Sequence, residues 1–185
     1  CDLVAGPAVY SSQNTHCMKQ DIAGANNLLD NAGWVMGSDG VRTKDGMRLS
    51  VLYQTSTNAV RQDYQALVKQ WWGEIGVETE LRNLSASIFF GGDPSSPDTF
   101  QKFYSDVEMY TNNFDGTDPQ SYLAMYLCGN EPKPDSQWQG ENINRYCDIA
   151  YDALHAELTR TGDMEKRYEI AKKLNDMLTK DSYTM

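Results

Sequence analysis

Four cysteines are the residues of this sequence whose chemistry is easiest to interpret. Cys1, Cys17, Cys128 and Cys147 are an even number of thiols at wide spacing, and no CxxC pair occurs among them. Zinc sites and thiol redox motifs usually contain cysteines only about two to four residues apart, so both are disfavoured. We therefore predict two local disulfides, Cys1–Cys17 and Cys128–Cys147. Disulfides persist in an oxidising compartment, which this pairing implies.

Two alternatives to this pairing stay open at the level of sequence. All of the cysteines would be unpaired, buried thiols if the protein were cytosolic. Cys1 also has an explanation of its own, because an exported lipoprotein begins its mature chain with an acylated cysteine. A bond between Cys1 and Cys17 favours the disulfide interpretation, which is the one we prefer.

Catalytic chemistry has no clear candidate in this sequence. His16 and His155 are far apart, and we expect His155 on the solvent face of a helix and His16 in a loop beside Cys17. The sequence motifs of serine hydrolases, zinc proteases and nucleotide-binding loops are absent. Asp39 and Asp45 lack the alternating ligands of a calcium loop, so they indicate turns. We predict no catalytic residue, no metal site and no cofactor.

The composition describes an acidic, globular protein. The formal net charge is −10 with a pI near 4.6, which argues against binding to nucleic acid or to an anionic membrane surface. A hydrophobic fraction of 40% with 11% aromatic residues is typical of a chain that closes a core. No apolar run approaches the roughly 20 residues that a membrane span requires.

The elements that must position these residues alternate between strand and helix. Apolar residues at helical spacing predict a long helix, capped by Asn58 and ended by Gly76; they are Val60, Tyr64, Leu67, Val68, Trp71, Trp72 and Ile75. A strand from Val77 to Leu84 is predicted after this helix, and a strand from Arg48 to Gln54 before the helix. This order is a βαβ unit, so we expect at least part of the sheet to be parallel.

The remaining predicted elements are less regular. They are a helix from Asp21 to Gly33, turns at Asp39-Gly40 and Asp45-Gly46 that suggest a hairpin, a strand from Phe103 to Thr111, a helix opened by Asp118-Pro119, and two amphipathic helices at about 147–161 and 164–180. A polar excursion lies between Cys128 and Cys147. The fold class that results is α/β.

Five sequence blocks occur in one order along the chain. They are residues 25–34 (ANNLLDNAGW) with 40–46 (GVRTKDG), residues 61–77 from Arg61 to Val77, residues 115–119 (DGTDP), residues 144–154 from Asn144 to Leu154, and the helix that contains Glu165, Arg167, Ile170 and Leu174. Each block is weak alone. Together they resemble the extracellular solute-binding proteins of family 5, the dipeptide, oligopeptide and nickel-binding group.

The resemblance implies a particular fold and setting. We expect an α/β fold, the C-terminal lobe of a periplasmic-binding-protein-like fold (type II, cluster C) with a mixed sheet and flanking helices. Residues 1–185 would form a single domain, most of that lobe, with the N-terminal lobe and the final returning segment outside the chain. The protein would be exported, periplasmic or extracellular, and would deliver a small solute, most often a peptide, to the membrane permease of an ABC importer.

The resemblance also implies site residues. In peptide-binding members the aspartate four residues before the proline of the DGTDP block accepts the α-ammonium group of the ligand, which assigns that role to Asp115. Members commonly carry a tryptophan just before this position; here Asn112 and Phe114 stand nearby, and a polar Asn112 suggests a different side-chain pocket. The alternative for Asp115 is a turn with Gly116. We expect Asp118 to cap a helix. A disulfide at Cys128 and Cys147 also matches dipeptide-type members.

Two other functions remain open. The same scaffold also takes oligosaccharides, opines and nickel chelates, so the solute is not fixed by the resemblance. A secreted hydrolase domain with a βαβ core is a remote alternative, because no nucleophile and base pair is identifiable. We expect this chain alone to bind its solute weakly or not at all, since half of the cleft would be missing.

Overall fold

The computed structural model of the protein describes residues 1–3, 7–113 and 116–180. The contacts between its residues divide the chain into two compact units. We call Gln20–Thr111 the sheet unit, and Cys1–Lys19 together with Asn112–Met185 the helical unit. That residues 1–185 act as one lobe stays a prediction.

The sheet unit contains two small sheets and three helices. Its elements are α1 (Ile22–Asn31), β1 (Val35–Met36), β2 (Arg42–Lys44), β3 (Met47–Arg48), β4 (Ser50–Ser56), α2 (Ala59–Glu74), β5 (Glu78–Leu84), α3 (Ala86–Phe89) and β6 (Val107–Met109). Strands β1, β2 and β3 form an antiparallel sheet, joined by the two turns that the sequence predicts. Asp45 and Gly46 have φ angles of 50° and 78°, the left-handed pair that a tight hairpin turn requires.

The second sheet is parallel, as the βαβ pattern predicts. Strand β4 lies in the centre, with β5 on one side and β6 on the other. The register pairs Ser50 with Glu78 and Ser56 with Leu84, so β4 and β5 are matched along their whole length. The predicted third strand was too long at both ends, since β6 keeps only Val107–Met109 of the expected 103–111. The expected α/β class is confirmed.

The ends of the two long helices of the sheet unit follow from local side-chain chemistry. Asp21 accepts a hydrogen bond from the Gly24 amide at 2.7 Å, and Asn58 accepts one from the Arg61 amide at 3.2 Å. Past the carboxyl ends of α1 and α2, Gly33 and Gly76 have φ angles of +86° and +83°. Glycine adopts this left-handed region without a Cβ penalty, which confirms both predicted helix ends.

Helix α2 packs on the sheet through a narrower face than its sequence suggests. Its one fully buried residue is Gln65, whose amide donates to the Tyr53 carbonyl at 2.9 Å. Trp72 lies on the same face, with its ring centroid 5.8 Å from that of Tyr53. The predicted apolar stripe is therefore split. Four other residues of the stripe are each at least 40% exposed: Val60, Tyr64, Leu67 and Trp71.

A buried arginine joins the segments of the sheet unit. Arg42, on β2, is 2% exposed, and its guanidinium donates to the carbonyls of Trp34 and Ile75 at 2.5 and 2.8 Å. It also donates to Asp30 at 2.5 Å and to Asn26 at 2.7 Å, both on α1. One side chain thus links the end of α1, the antiparallel sheet and the end of α2.

The described residues of the helical unit form one apolar core. The elements of this unit are α4 (Gln120–Leu123), α5 (Ile149–Arg160), α6 (Met164–Lys180) and short 3₁₀ helices at Ala8–Tyr10, Ala124–Tyr126 and Pro134–Ser136. The core consists of Tyr10, Leu123, Tyr126, Tyr146, Tyr151, Leu158, Ile170, Ala171, Leu174 and Leu178. The α6 members recur at helical spacing, so one face of that helix is buried. None of the helices within the described ranges is long and apolar enough to cross a membrane.

Both predicted disulfides are present in the helical unit. Cys1 pairs with Cys17 and Cys128 with Cys147, at Cα separations of 5.8 and 4.7 Å. The first bond favours the disulfide over the acylated-cysteine explanation of Cys1. Asn175 on α6 holds the same N-terminal segment, since its side chain accepts from the Leu3 amide at 2.8 Å and donates to the Cys1 carbonyl at 3.1 Å.

Two expectations for the helical unit were wrong. His155 is 7% exposed and not on the solvent face, because α4 packs against α5 and brings the Gln120 carbonyl to 3.0 Å from its Nε2. A carbonyl oxygen only accepts, so Nε2 carries the proton of this bond. Helix α4 also begins one residue later than expected: Pro119 occupies the N-cap position, and Asp118 accepts from the Gln120 amide at 2.9 Å.

Replacement of Arg42 by methionine should destabilise the protein by about 3–5 kcal/mol, because the acceptors around the guanidinium lose their donors together. The matched control is Arg48→Met, an exposed arginine on the neighbouring strand β3. Urea unfolding of both variants measures the difference. Equal losses in the two variants would show that Arg42 has no special structural role.

Removal of the second disulfide by the double change Cys128→Ser and Cys147→Ser should lower the free energy of unfolding. The bond spans a separation of 19 residues, and constraining a loop of this length contributes about 3 kcal/mol. Thermal unfolding with and without reductant is the measurement. A wild-type midpoint unaffected by full reduction of this bond would contradict the expectation.

Candidate functional site

The carboxyl ends of the three parallel strands define one edge of the sheet unit. Strands β4, β5 and β6 end there at Ser56, Leu84 and Met109. The chain adds β5 on one side of β4 and then β6 on the other, so the strand order reverses at β4. Ligands of open parallel sheets bind outside the carboxyl ends of the strands at such a reversal. This edge is therefore our candidate site.

Arg61 is a charged residue that the structure places at this edge. It lies in the first turn of α2, directly after β4, and its guanidinium donates to Ser56 Oγ at 2.7 Å and to Thr111 Oγ1 at 2.9 Å. Ser56 is 2% exposed, whereas Thr111 is exposed. Arg61 thus connects the end of β4 with the segment that follows β6.

Aromatic rings lie next to this guanidinium. The Arg61 Cζ is 5.5 Å from the ring centroid of Phe90, within the range of a cation–π contact. Phe90 directly follows α3 and is 40% exposed. Its ring contacts those of Phe89 and Phe100 at centroid distances of 4.8 and 5.5 Å, and Phe100 contacts Tyr110 at 5.1 Å. The edge therefore combines a cation with an apolar, partly exposed surface.

At the opposite edge, the amino edge where β4 and β5 begin, the arginine has carboxylate partners. Arg48 donates to Asp39 at 2.6 Å and to both oxygens of Glu78 at 3.1 and 3.2 Å. These hydrogen bonds hold the pKa of the Asp39 carboxyl and that of the Glu78 carboxyl below their ordinary values. The arginine at the amino edge is thus neutralised by two carboxylates, while Arg61 has hydroxyl partners.

The segment that the family resemblance assigns to the ligand, residues 112–115, begins directly after Thr111 in the sequence. Asn112 is exposed; its side-chain oxygen accepts from the Asn113 amide at 3.0 Å, and its amide group lies 3.5 Å from Met125 Sδ. Phe114 and Asp115 lie outside the described residues, so their predicted roles stay predictions. Gly116, which follows them, is exposed and has a φ angle of +81°, a conformation that favours glycine.

Asp118 is held by an arginine network within the helical unit. Its Oδ2 accepts from Arg167 Nη2 at 2.7 Å and from Nε at 3.1 Å. Arg167 also donates to the carbonyls of Leu158 and Thr161 at 2.8 and 2.9 Å, at the end of α5. Asp118 therefore does not occupy the predicted N-cap position; it accepts from the Gln120 amide and links α4 to α5 and α6 through Arg167, which its sequence spacing did not reveal.

Metal chemistry has no support among the residues that the structure describes. No group of three or more His, Cys, Asp or Glu side chains in those ranges could hold a metal ion. The cysteines are disulfide-bonded. The buried imidazole of His155 is engaged by a backbone carbonyl.

A match to a protein-family model shows which family this chain belongs to. The model of the bacterial extracellular solute-binding proteins, family 5 Middle, matches residues 4–133 of the chain, well over half of it. The chain belongs to this family. An oligopeptide-binding protein, OppA of Lactococcus lactis subsp. cremoris, is 39% identical to this family 5 chain over 71 residues, which is 35% of this chain and 11% of OppA.

Solved structures of other binding proteins share the fold. An oligopeptide-binding protein from Thermus thermophilus, complexed with a pentapeptide, has a TM-score of 0.76 at 20% identity and covers 96% of this chain. NikZ from Campylobacter jejuni, in complex with Ni(L-His), has a TM-score of 0.75 at 20% identity and covers 94%. The family 5 chain spans only 31% and 33% of these two proteins, about a third of their length.

The ion pair between Asp118 and Arg167 should be measurable as a coupling energy between the two side chains. Asp118→Asn and Arg167→Gln should each destabilise the protein by about 1–3 kcal/mol, and the double variant by less than the sum. Urea unfolding of the single and double variants gives the cycle. Strictly additive effects would mean that the ion pair contributes nothing, and that Arg167 acts only through the carbonyls of Leu158 and Thr161.

Proposed function

We propose that this chain is the solute-recognition part of an ABC-importer binding protein, and that its solute is a peptide. The match to the family 5 model carries the proposal, because the family is defined as extracellular solute-binding proteins. We further propose that residues 1–185 form most of the C-terminal lobe. Segments outside this chain would then complete the cleft, and the protein would be exported.

The mechanism follows from a cleft between two lobes. A solute that contacts both lobes stabilises the closed form over the open one, in proportion to its differential affinity for the two. The membrane permease of the importer then senses the closed form. Such a protein binds and does not transform its solute, and we propose no catalytic role for any residue of this chain.

The proposal that the solute is a peptide has support of two kinds. OppA and the T. thermophilus protein are both described as oligopeptide-binding. The candidate site at the carboxyl edge of the parallel sheet presents partly exposed aromatic rings. Extended peptides bind through main-chain hydrogen bonds and through pockets for their side chains, and apolar rings suit the second requirement.

A nickel chelate is the second candidate, because NikZ is described in complex with Ni(L-His). Oligosaccharides and opines stay alternatives from the sequence. Native mass spectrometry of the full-length protein distinguishes these possibilities. The probes are a random peptide library of two to nine residues, Ni(L-His) and a set of oligosaccharides. Retention of peptides supports the proposal, while retention of Ni(L-His) or sugar alone overturns it.

We propose that Asp115 binds the α-ammonium group of the peptide. The loss of a charge-assisted hydrogen bond costs about 1.5–3 kcal/mol, so Asp115→Asn should weaken binding roughly 10- to 100-fold. Calorimetry with peptides from the library measures this in the full-length protein. Asp135→Asn, the change of an exposed carboxylate in a surface 3₁₀ helix, is the matched control and should bind as the wild type.

Acetylation of the peptide N-terminus removes the same charge from the ligand. Wild-type protein should bind the acetylated peptides weakly, and Asp115→Asn should bind acetylated and free peptides alike. Unchanged affinity for free peptides in the Asp115→Asn protein would remove the role assigned to this residue without affecting the fold or the family.

A further inference from the structure

A cavity of about 480 Å³ opens on the surface of the helical unit, along one face of α5. This volume lies within the range of sites that bind small molecules. The α5 side chains that line the cavity share one helix face, at positions i, i+3, i+4 and i+7: Asp152, His155, Ala156 and Thr159. Leu127 and Cys128 also line it. We call this space the α5 cavity.

His155 presents a hydrogen-bond acceptor to the α5 cavity. The residue is 7% exposed, and its Nε2 donates to the Gln120 carbonyl at 3.0 Å. In the neutral ring, the other nitrogen, Nδ1, is then an acceptor. The structure gives Nδ1 no partner among the described residues, and it does not close this atom off in the interior. Buried polar groups are nearly always paired, so a nitrogen in this position indicates a donor from a ligand.

The other two polar side chains on this face of α5 are acceptors as well. Asp152 Oδ1 accepts from the Cys128 amide at 3.1 Å, and a carboxylate has about four acceptor sites, so most of its capacity remains. Thr159 Oγ1 donates its one proton to the His155 carbonyl at 3.0 Å, so it presents only lone pairs. The polar atoms of the face therefore all accept hydrogen bonds, and one group carries a negative charge.

A ligand that satisfies such a lining must donate hydrogen bonds and should carry a positive charge. A primary ammonium group is a compact cation with three N–H donors. A metal ion fits less well, because no group of three His, Cys, Asp or Glu side chains within the described ranges could hold one. Leu127, Ala156 and the disulfide at Cys128 supply apolar surface for an alkyl stem.

Arg160 gives the α5 cavity a direction. It is exposed and lines the cavity eight positions after Asp152, which corresponds to about 12 Å along the helix axis. Its charge repels a second ammonium group at that end and attracts an anionic one. The lining thus has an end of acceptors and a cationic end, joined by apolar surface.

We propose that the α5 cavity binds a small primary amine, with the ammonium group between Asp152 and His155 and the alkyl stem along Leu127 and Ala156. An amine with a carboxylate at the far end of its stem fits best, because Arg160 lies there. The inference does not rest on the proposed function, since neither the carboxyl edge of the parallel sheet nor residues 112–115 enter it.

The test is calorimetry of the full-length protein with four probes that share a five-carbon stem. They are pentan-1-ol, pentylamine, 1,5-diaminopentane and 5-aminopentanoate. Pentylamine should bind about 10- to 100-fold more tightly than pentan-1-ol, which corresponds to one charge-assisted interaction. 5-Aminopentanoate should bind more tightly than 1,5-diaminopentane, because these two probes differ only in the group that Arg160 meets.

Two variants of α5 separate charge from shape. Asp152→Asn keeps an oxygen for the Cys128 amide but removes the charge, so its affinity for pentylamine should fall to that for pentan-1-ol. Ala156→Leu fills the α5 cavity and should abolish binding of every probe without a change in any polar group. Glu157→Gln, an exposed carboxylate of the same helix outside the lining, is the matched control and should bind as the wild type. Near-ultraviolet circular dichroism establishes that each variant is folded. If Asp152→Asn does not fold, Ala156→Leu and the four probes decide.

The outcomes separate this inference from the proposed function, in which Asp115 also binds an ammonium group. Pentylamine binding should survive Asp115→Asn; its loss there, and not in Asp152→Asn, overturns the inference and leaves the proposed function intact. Equal affinity for pentylamine and pentan-1-ol overturns it too, as does a wild type that binds none of the probes. Zn²⁺ binding that depends on Asp152, without amine binding, identifies a metal site instead. Failure of every peptide to bind overturns the proposed function alone.

Discussion

The buried guanidinium of Arg42 is the contact on which the sheet unit most depends, because this unit has little apolar interior of its own. Over residues 20–111, the buried hydrophobic side chains are Tyr53 and Phe89, while Arg42, Gln54, Gln65 and Thr79 are buried polar groups. Hydrogen bonds from Arg42 connect α1, the turn that follows it, the antiparallel sheet and the end of α2. Polar contacts are directional, so they fix the relative positions of these elements more sharply than apolar packing alone would.

This constraint extends from Arg42 to the candidate site. The Arg42 amide donates to the Gly76 carbonyl at 2.8 Å, and a Cβ on Gly76 would meet the Arg42 side chain at 2.7 Å. The end of α2 is therefore held where β5 must begin. Since α2 starts directly after β4, the same helix sets the place of Arg61 at the other end of the sheet. The sequence blocks GVRTKDG and IGV belong together for this physical reason.

Local chemistry explains which features were predictable. Gly33 and Gly76 mark helix ends through their own backbone preference, and the disulfides close short loops within the helical unit. The features that were missed depend on distant partners: His155 is buried because a carbonyl 35 positions away meets its ring. The candidate site shows the same division. Asp115 came from family resemblance, whereas Arg61 entered only as the first residue of a sequence block. Its position directly after a strand of a βαβ unit could have marked it, because helix starts there meet the carboxyl edge of the sheet.

The net charge of the chain affects how a charged solute approaches the candidate site that contains Arg61. A net charge of −10 opposes the approach of an anionic solute, but at physiological ionic strength exposed charges are largely screened beyond about 8 Å. Selectivity at the site is then set by the few charges in direct contact with the solute. Arg48 offers none, because two carboxylates already accept its hydrogen bonds. Among the described residues, the hydroxyls of Ser56 and Thr111 accept from Arg61 and orient its guanidinium at the carboxyl edge of the parallel sheet, in an otherwise acidic protein.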